Sequence, residues 1–190
     1  SIARIFRYNS SYAKAGLVLH QLRYKLSDEV FFELLRAWMD SDFRYKSVTT
    51  EDFISFAEQH TGRNLRAFAD AWLYNAGFPE YALRYASRPV AGNTSAYLYR
   101  LQITQQNATT GAPSQDFSLP LELRIPLKNA AGDTLITLEN PVFPIDMEMR
   151  LSAEPDGPPE IDPNDERIKG KTDTFPADFE DLTSGLPRST

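Results

Sequence analysis

The chain has 190 residues, no cysteine and a formal net charge of −6 at pH 7. Without cysteine it forms neither disulfides nor thiolate metal sites, and 12% aromatic residues argue against wholesale disorder. Residues 1–150 carry equal numbers of basic and acidic side chains, so they lack the basic excess that binds nucleic acid. No apolar run reaches the length of a membrane span, and no signal peptide is expected. The compartment is left open.

Residues 1–79 have the periodicity of helices. The first helix is predicted from a cap at Ser10 or Ser11 to about Leu26, and the second begins after Ser27, whose hydroxyl would cap it. The apolar positions expected in the first helix are Ala15, Leu17, Val18, Leu22 and Leu26. Those expected in the second are Val30, Phe31, Phe32, Leu34, Leu35, Trp38 and Met39.

Two further helices are predicted before Pro79. Thr49 and Thr50 are typical of a helix start, and Gly62 suits a left-handed helix end. Asn64 is expected to open a fourth helix, which ends before Pro79. Together the four helices predict one packed helical layer.

The period changes to two after Pro79. Apolar residues alternate with polar ones in residues 97–103, 117–127 and 143–151. The turn sequence from Asn129 to Asp133 predicts a hairpin with residues 134–139 as the partner strand. Several short strands with one polar face predict an antiparallel β-sandwich over residues 80–169.

The last forty residues carry the whole net negative charge. Residues 161–168 are predicted to add a final strand. Residues 170–190 are predicted to form an acidic, proline-containing tail or an extended arm. The fold class expected is therefore α + β in separate domains.

Four segments carry a resemblance to a known family. Residues 12–23 (Tyr-Ala-Lys-Ala-Gly-Leu-Val-Leu-His-Gln-Leu-Arg) resemble a signature of the aminopeptidase N (membrane alanyl aminopeptidase) family of zinc metallopeptidases. Residues 28–31 (Asp-Glu-Val-Phe) are similar to its Gly-Asp-Glu-x-Phe helix, and residues 49–53 (Thr-Thr-Glu-Asp-Phe) to its Thr-Thr-x-Asp-Phe element. Residues 72–79 resemble its closing Trp-Leu-x-x-x-Gly-x-Pro, and the four segments keep the family order.

The resemblance implies the α-helical C-terminal half of a thermolysin-like, gluzincin-type catalytic domain followed by a β-sandwich. In that family a His-Glu-x-x-His helix and a later Glu hold zinc. The chain has two histidines, His20 and His60, and neither is followed by Glu. No metal or cofactor is therefore expected in this chain, and zinc is expected in the full-length protein, bound by its N-terminal portion.

Tyr12 is the candidate catalytic residue. The resemblance implies that its phenol donates a hydrogen bond to the oxyanion formed during peptide hydrolysis. The alternative is a half-buried packing tyrosine, and Tyr8 is a rival candidate. Lys14 is expected to be an exposed structural lysine rather than a group that orients a carboxylate, and His20 a core or interhelix histidine rather than a ligand.

The match departs from the family signature at one position. The family order Lys-Gly-Ala is here Lys14-Ala15-Gly16, which moves the glycine by one residue. If the family glycine permits a close helix approach, this exchange would shift Tyr12 slightly. The acid pairs Asp28-Glu29 and Glu51-Asp52 stand at helix starts, where compensation of the helix dipole explains them.

Two functions follow as expectations. The first is a part of a zinc aminopeptidase that removes N-terminal residues from peptides, with the peptide and the upstream part of its own catalytic domain as partners. The second is a non-catalytic scaffold or protein-interaction module with the same architecture. The chain alone is expected to be inactive under either.

Overall fold

A computed structural model describes residues 12–109, 117, 119–128, 132–139, 141–164 and 172–183. The chain divides into a helical unit, residues 1–78 with 115–119, and a sheet unit, residues 79–114 with 120–190. The α + β class expected from the sequence is present. None of the helices in these ranges is long and apolar enough to span a bilayer.

The helical unit contains four α-helices within the described ranges. They are α1 (Lys14–Leu26), α2 (Asp28–Asp40), α3 (Thr50–Thr61) and α4 (Arg66–Ala69). A π-helix, Asp70–Tyr74, continues α4. The buried apolar residues of the unit are Val18, Leu22, Leu26, Phe31, Leu34, Ile54, Ala57, Leu65, Phe68, Ala69, Ala71, Trp72, Phe117 and Leu119.

The inward face of α1 differs from the predicted one. Val18, Leu22 and Leu26 are buried as expected, but Leu17 is exposed and the buried polar residue Gln21 takes the adjoining position. The apolar run around Val18 covers more than one side of a helix with 3.6 residues per turn, so only packing decides which side is buried. The predicted caps Ser10 and Ser11 lie outside the described residues.

The start of α2 is where the prediction of a serine cap is wrong. Ser27 makes no side-chain cap hydrogen bond and has φ 76° and ψ 159°. Asp28 instead accepts two hydrogen bonds from Arg23, at 2.7 and 2.6 Å, which tie the end of α1 to the start of α2. Of the predicted apolar face, Phe31 and Leu34 are buried, whereas Phe32 and Met39 are exposed.

The ends of α3 follow the local sequence closely. The Thr49 hydroxyl accepts a hydrogen bond from the Asp52 amide at 3.2 Å, and the Asp52 carboxylate accepts one from the Thr49 amide at 2.7 Å. This reciprocal capping box confirms the predicted helix start. Gly62 ends α3 with a left-handed φ of 67°, also as predicted.

The fourth helix begins later than expected. Its N-cap is Leu65, while the Asn64 side chain accepts a hydrogen bond from the Arg66 amide at 3.0 Å. The Arg66 guanidinium bonds to Glu51 and Glu58 of α3. These ion pairs hold the start of α4 against α3.

The sheet unit contains two sheets within the described ranges. The strands are β1 (Pro79–Val90), β2 (Asn93–Asn107), β3 (Leu121–Ile125), β4 (Thr134–Leu138), β5 (Ile145–Leu151), β6 (Glu160–Ile161) and β7 (Thr172–Pro176). The order is β5-β2-β1-β7 in one sheet and β4-β3-β6 in the other. One hydrophobic cluster includes residues of both sheets, among them Leu83, Tyr99, Leu101, Leu123 and Ile125.

The predicted pairing of residues 134–139 with the preceding strand is confirmed, because β4 runs antiparallel to β3. The strand predicted over residues 117–127 is shorter, since Pro120 offers no amide to a ladder and β3 begins after it. Phe117 belongs to the helical unit, where its ring lies 5.2 Å from that of Trp72.

The final part of the chain also departs from expectation. Of the strand predicted over residues 161–168, Ile161 lies in β6 and residues 162–164 lie outside any strand, while residues 165–171 lie outside the described ranges. Residues 172–176, which carry no strand pattern, form β7. This strand pairs with β1 in parallel, whereas the pairs β1–β2 and β2–β5 are antiparallel, so the four-stranded sheet is mixed.

Replacing Ser27 with glycine is expected to stabilise the helical unit. A non-glycine residue with this backbone conformation costs on the order of 1–3 kcal/mol. The added freedom of glycine in the unfolded chain offsets part of the gain, so Ser27→Gly should raise the free energy of unfolding by about 1 kcal/mol. Urea denaturation followed by far-ultraviolet circular dichroism measures this change.

Ser41→Gly is the matched control for Ser27→Gly. Ser41 has φ −77°, and its hydroxyl donates to the Trp38 carbonyl at 2.7 Å, so glycine should destabilise the protein there. A loss of stability in Ser27→Gly would contradict the strained start of α2.

Candidate functional site

Tyr12 stands at the N-terminal end of α1. It and Ala13 already have π-helical conformation, and Ala13, the N-cap residue, has helical angles of φ −66° and ψ −47°. Tyr12 is 61% exposed in this chain. Its phenol is accessible to a ligand from outside the helical unit. Tyr8, the rival candidate, lies outside the described residues.

The displaced glycine of the signature has no packing role at its new position. A Cβ built on Gly16 has no heavy atom within 4 Å, so no neighbouring backbone approaches it there. Ala15, where the family has glycine, contributes to the wall of a groove. The shift of the glycine from position 15 to position 16 therefore adds a methyl group to the groove wall. It leaves position 16, which is exposed, without a side chain.

This groove is an apolar concavity of about 340 Å³ in the helical unit. It is lined by Ala15, Val18, Leu19, Leu22, Val48, Thr49, Thr50, Phe53, Ile54, Phe68 and Leu73. Leu19 of α1 and Val48, which precedes α3, are both exposed at the groove. Exposed apolar side chains around an apolar concavity are typical of a surface that binds another polypeptide.

Two polar groups are buried in the helical unit without a partner among the residues that the structure describes. They are both side-chain amide atoms of Gln21 and the indole nitrogen of Trp72. Gln21 has 0% exposure, so ligands arriving from outside do not reach its amide. The amide is therefore a destabilising feature of α1 and not part of the accessible site.

The acid pairs at the helix starts have structural partners. Hydrogen bonds from Arg23 lower the pKa of Asp28, against a smaller effect of desolvation. Hydrogen bonds from Arg66 and from Thr49 likewise lower the pKa of Glu51 and of Asp52. These three carboxylates stay ionised near neutral pH, which suits helix stabilisation and not general acid catalysis.

The two histidines lie apart from any metal-binding arrangement. The His20 ring contacts that of Tyr24, one turn along α1, edge-to-face at 5.1 Å. The His60 ring stacks on Phe56 at 5.8 Å, and its Nε2 lies 3.8 Å from a Glu33 oxygen. Across the described ranges no three His, Cys, Asp or Glu side chains come together to hold a metal ion. These residues therefore do not fit a zinc site, which needs at least three protein ligands.

The predicted site residues lie at the start of α1 and are not among the residues that line the groove. Tyr12 and Lys14 are both exposed at the start of α1. The groove was missed by sequence reasoning, which treated its apolar residues as core. Its signal in the sequence is the uninterrupted apolar run of residues 17–19, which is wider than one buried helix face requires.

The family match of this chain falls within the helical unit. Residues 1–72 match the model of the Peptidase family M1 domain. A segment of 68 residues is 31% identical to aminopeptidase N of Lactococcus lactis subsp. lactis. That segment covers 36% of this chain and 8% of the length of the aminopeptidase.

Residues 1–72, which belong to the helical unit, are thus similar to a peptidase domain. More narrowly, residues 1–72 are M1 aminopeptidase-like, which confirms the resemblance found in the sequence. Zinc dependence is a general property of that family, whereas the part of this chain that the structure describes contains no metal-binding group.

Replacing Gln21 with methionine is expected to stabilise the protein. The exchange removes an amide without a partner and keeps an unbranched side chain of similar length, so the free energy of unfolding should rise by about 1–2 kcal/mol. The exposed Gln59→Met is the matched control, with a change of less than about 0.5 kcal/mol. Chemical denaturation compares the two variants, and a less stable Gln21→Met would mean that the amide has a partner.

Proposed function

We propose that this chain is part of a zinc-dependent aminopeptidase of the M1 type, which hydrolyses N-terminal residues from peptides. In this proposal the helical unit is the C-terminal half of a thermolysin-like catalytic domain. The observation that carries the proposal is the M1 match over residues 1–72 with an accessible Tyr12 at the signature position. The role of this chain is to present the Tyr12 phenol to the reacting peptide bond.

The physical basis of this role is a preorganised hydrogen-bond donor. Attack on the peptide carbonyl places negative charge on its oxygen, and a fixed O–H group directed at that oxygen stabilises the transition state more than the substrate. In this proposal the helix that starts beside Tyr12 fixes the backbone from which the phenol projects. Losing one such donor costs about 3–4 kcal/mol, or roughly a hundredfold to a thousandfold in rate.

The upstream part of the catalytic domain is the proposed partner of the helical unit. The apolar groove and the exposed Leu19 and Val48 support this assignment, because burying them removes apolar surface from water. Zinc would be bound by ligands in that upstream part. No step is assigned to the metal in this chain, since the residues described here do not fit it.

The sheet unit is proposed to be the β-sandwich that follows the catalytic domain. Support comes from the cluster that contains Leu83 and Leu101 of one sheet together with Leu123 and Ile125 of the other. The proposed domains are residues 1–79 and 80–169, followed by an acidic, proline-containing segment, residues 170–190, which contributes β7 to the sheet unit.

A non-catalytic scaffold is the second candidate function. It is favoured by the same groove, which needs no metal to bind a polypeptide, and by the structural pairing of Asp28 and Glu51 with arginines. The two candidates differ in the importance of the Tyr12 hydroxyl. A scaffold would bind its partner through the surface around Tyr12. It would not need the Tyr12 hydroxyl as a hydrogen-bond donor.

Tyr12→Phe in the full-length protein tests the proposal. The aminopeptidase should lose kcat/KM by about a hundredfold or more while KM changes little, because the lost hydrogen bond forms in the transition state. Tyr45→Phe is the matched control, since Tyr45 is 92% exposed in the same helical unit and should leave turnover unchanged. Steady-state kinetics with an aminoacyl substrate measure both variants.

Equal turnover in Tyr12→Phe and the unchanged protein would overturn the catalytic role of Tyr12. A full-length protein without any turnover, whose binding to another polypeptide is indifferent to Tyr12→Phe, would favour the scaffold.

The isolated 190-residue chain is expected to take up no stoichiometric zinc and to cleave no aminoacyl substrate. Elemental analysis after dialysis against zinc measures the first, with the full-length protein as the positive control. One tightly bound zinc per isolated chain would contradict the assignment of the ligands to the upstream part.

A further inference from the structure

Residues 172–183 lie along the edge of the four-stranded sheet. β7 pairs in parallel with β1 over five residues, from Tyr81 opposite Thr172 to Tyr85 opposite Pro176. The amide of Ala177 then donates to the Tyr85 carbonyl at 2.9 Å. The segment ends in a 3₁₀-helix whose Leu182 is buried.

Two arginines of the sheet contact the middle of this segment. The Phe179 ring lies 4.3 Å from the Arg88 guanidinium carbon and 4.0 Å from that of Arg100. Arg100 also donates to the Phe179 carbonyl at 2.9 Å, and Arg88 to a Glu180 carboxylate oxygen at 3.0 Å. The pair of arginines therefore recognises an aromatic ring, a backbone carbonyl and a carboxylate.

This pair of arginines, the arginine clamp, is partly held by the sheet itself. The Arg100 Nε donates to Glu148 of β5 at 2.6 Å, and the Arg100 side chain is only 14% exposed. Arg88 and Arg100 project from the neighbouring strands β1 and β2. An arginine already fixed by the sheet loses less conformational entropy when a ligand binds.

The segment is complementary to the clamp in charge. Residues 172–183 contain four acidic side chains, Asp173, Asp178, Glu180 and Asp181, and no basic one. Without this segment, β1 would present unpaired amides and carbonyls at a sheet edge, which accept another strand readily.

We propose that the β1 edge and the arginine clamp form a peptide-binding site for an extended acidic segment with a Phe-Glu pair, and that a second copy of this chain supplies that segment by strand exchange. In the structure the chain's own residues 172–183 occupy the site. A second copy has the same site and the same segment, so exchange would preserve the contacts that residues 172–183 make with β1, Arg88 and Arg100. This inference does not depend on the proposed peptidase function.

A labelled peptide with the sequence of residues 172–183 tests the site. It should bind the full chain carrying Phe179→Ala and Glu180→Ala at least tenfold more tightly than the unchanged chain, whose own segment competes. A control peptide with the same two substitutions should bind about tenfold more weakly, because it lacks the ring and the carboxylate. Fluorescence anisotropy measures both. Absence of binding, or equal binding of the two peptides, would overturn the site.

Cysteine cross-linking tests the second copy. Arg84 and Phe175 are opposite each other in the β1–β7 pair, both are exposed, and the chain has no cysteine of its own. Arg84→Cys and Phe175→Cys in one chain should form an internal disulfide, which serves as the control for strand geometry. Mixing the two single variants should give a disulfide-linked pair of chains. An internal disulfide without any mixed pair would overturn strand exchange.

Discussion

Burial of one face of α1 is the constraint on which the candidate site depends. Leu22 and Leu26 are almost completely buried, and full burial of a leucine side chain contributes about 1.5–3 kcal/mol. The two hydrogen bonds from Arg23 to Asp28 tie the end of the same helix to α2. With α1 held at its inner face and its end, the direction in which its first turn presents Tyr12 is limited.

Local sequence predicted the helices best where local interactions decide their ends. The capping box of Thr49 and Asp52 and the left-handed Gly62 need no distant partner, and both were found as expected. The predicted helix cap at Ser27 was wrong, because the start of α2 is held instead by an ion pair between Asp28 and Arg23 of the preceding helix. Gln21 could not be predicted to be buried, since helical periodicity allows several sides of α1 to face inward and only the packed neighbours choose one.

The C-terminal part of the sheet unit shows the same limit more clearly. Residues 172–176 have neither alternation nor a continuous apolar run, so no strand pattern marks them. The residues that follow them, Phe179 and Glu180, are held by Arg88 and Arg100, which are distant in sequence. The acidic residues of this region are evident from the sequence. The structure shows that Arg88 and Arg100 contact the region at Phe179 and Glu180.

The candidate site was predictable only in part. The position of Tyr12 at a helix start follows from the signature, whereas the groove beside α1 follows from tertiary packing of α1, α3 and the π-helix. The carboxylates could be assigned to helix starts from sequence alone. Their arginine partners, which lower the pKa of Asp28 and of Glu51, required the structure.

The proposed role of Tyr12 requires that its phenol bind the transition state more strongly than the substrate. The most direct measurement is the affinity of the full-length protein for a tetrahedral phosphinic peptide analogue, compared with that for an uncleaved substrate mimic. Removal of the Tyr12 hydroxyl should weaken the analogue by about a hundredfold and the mimic by less than about twofold. Equal weakening of both ligands, or of neither, would contradict the account.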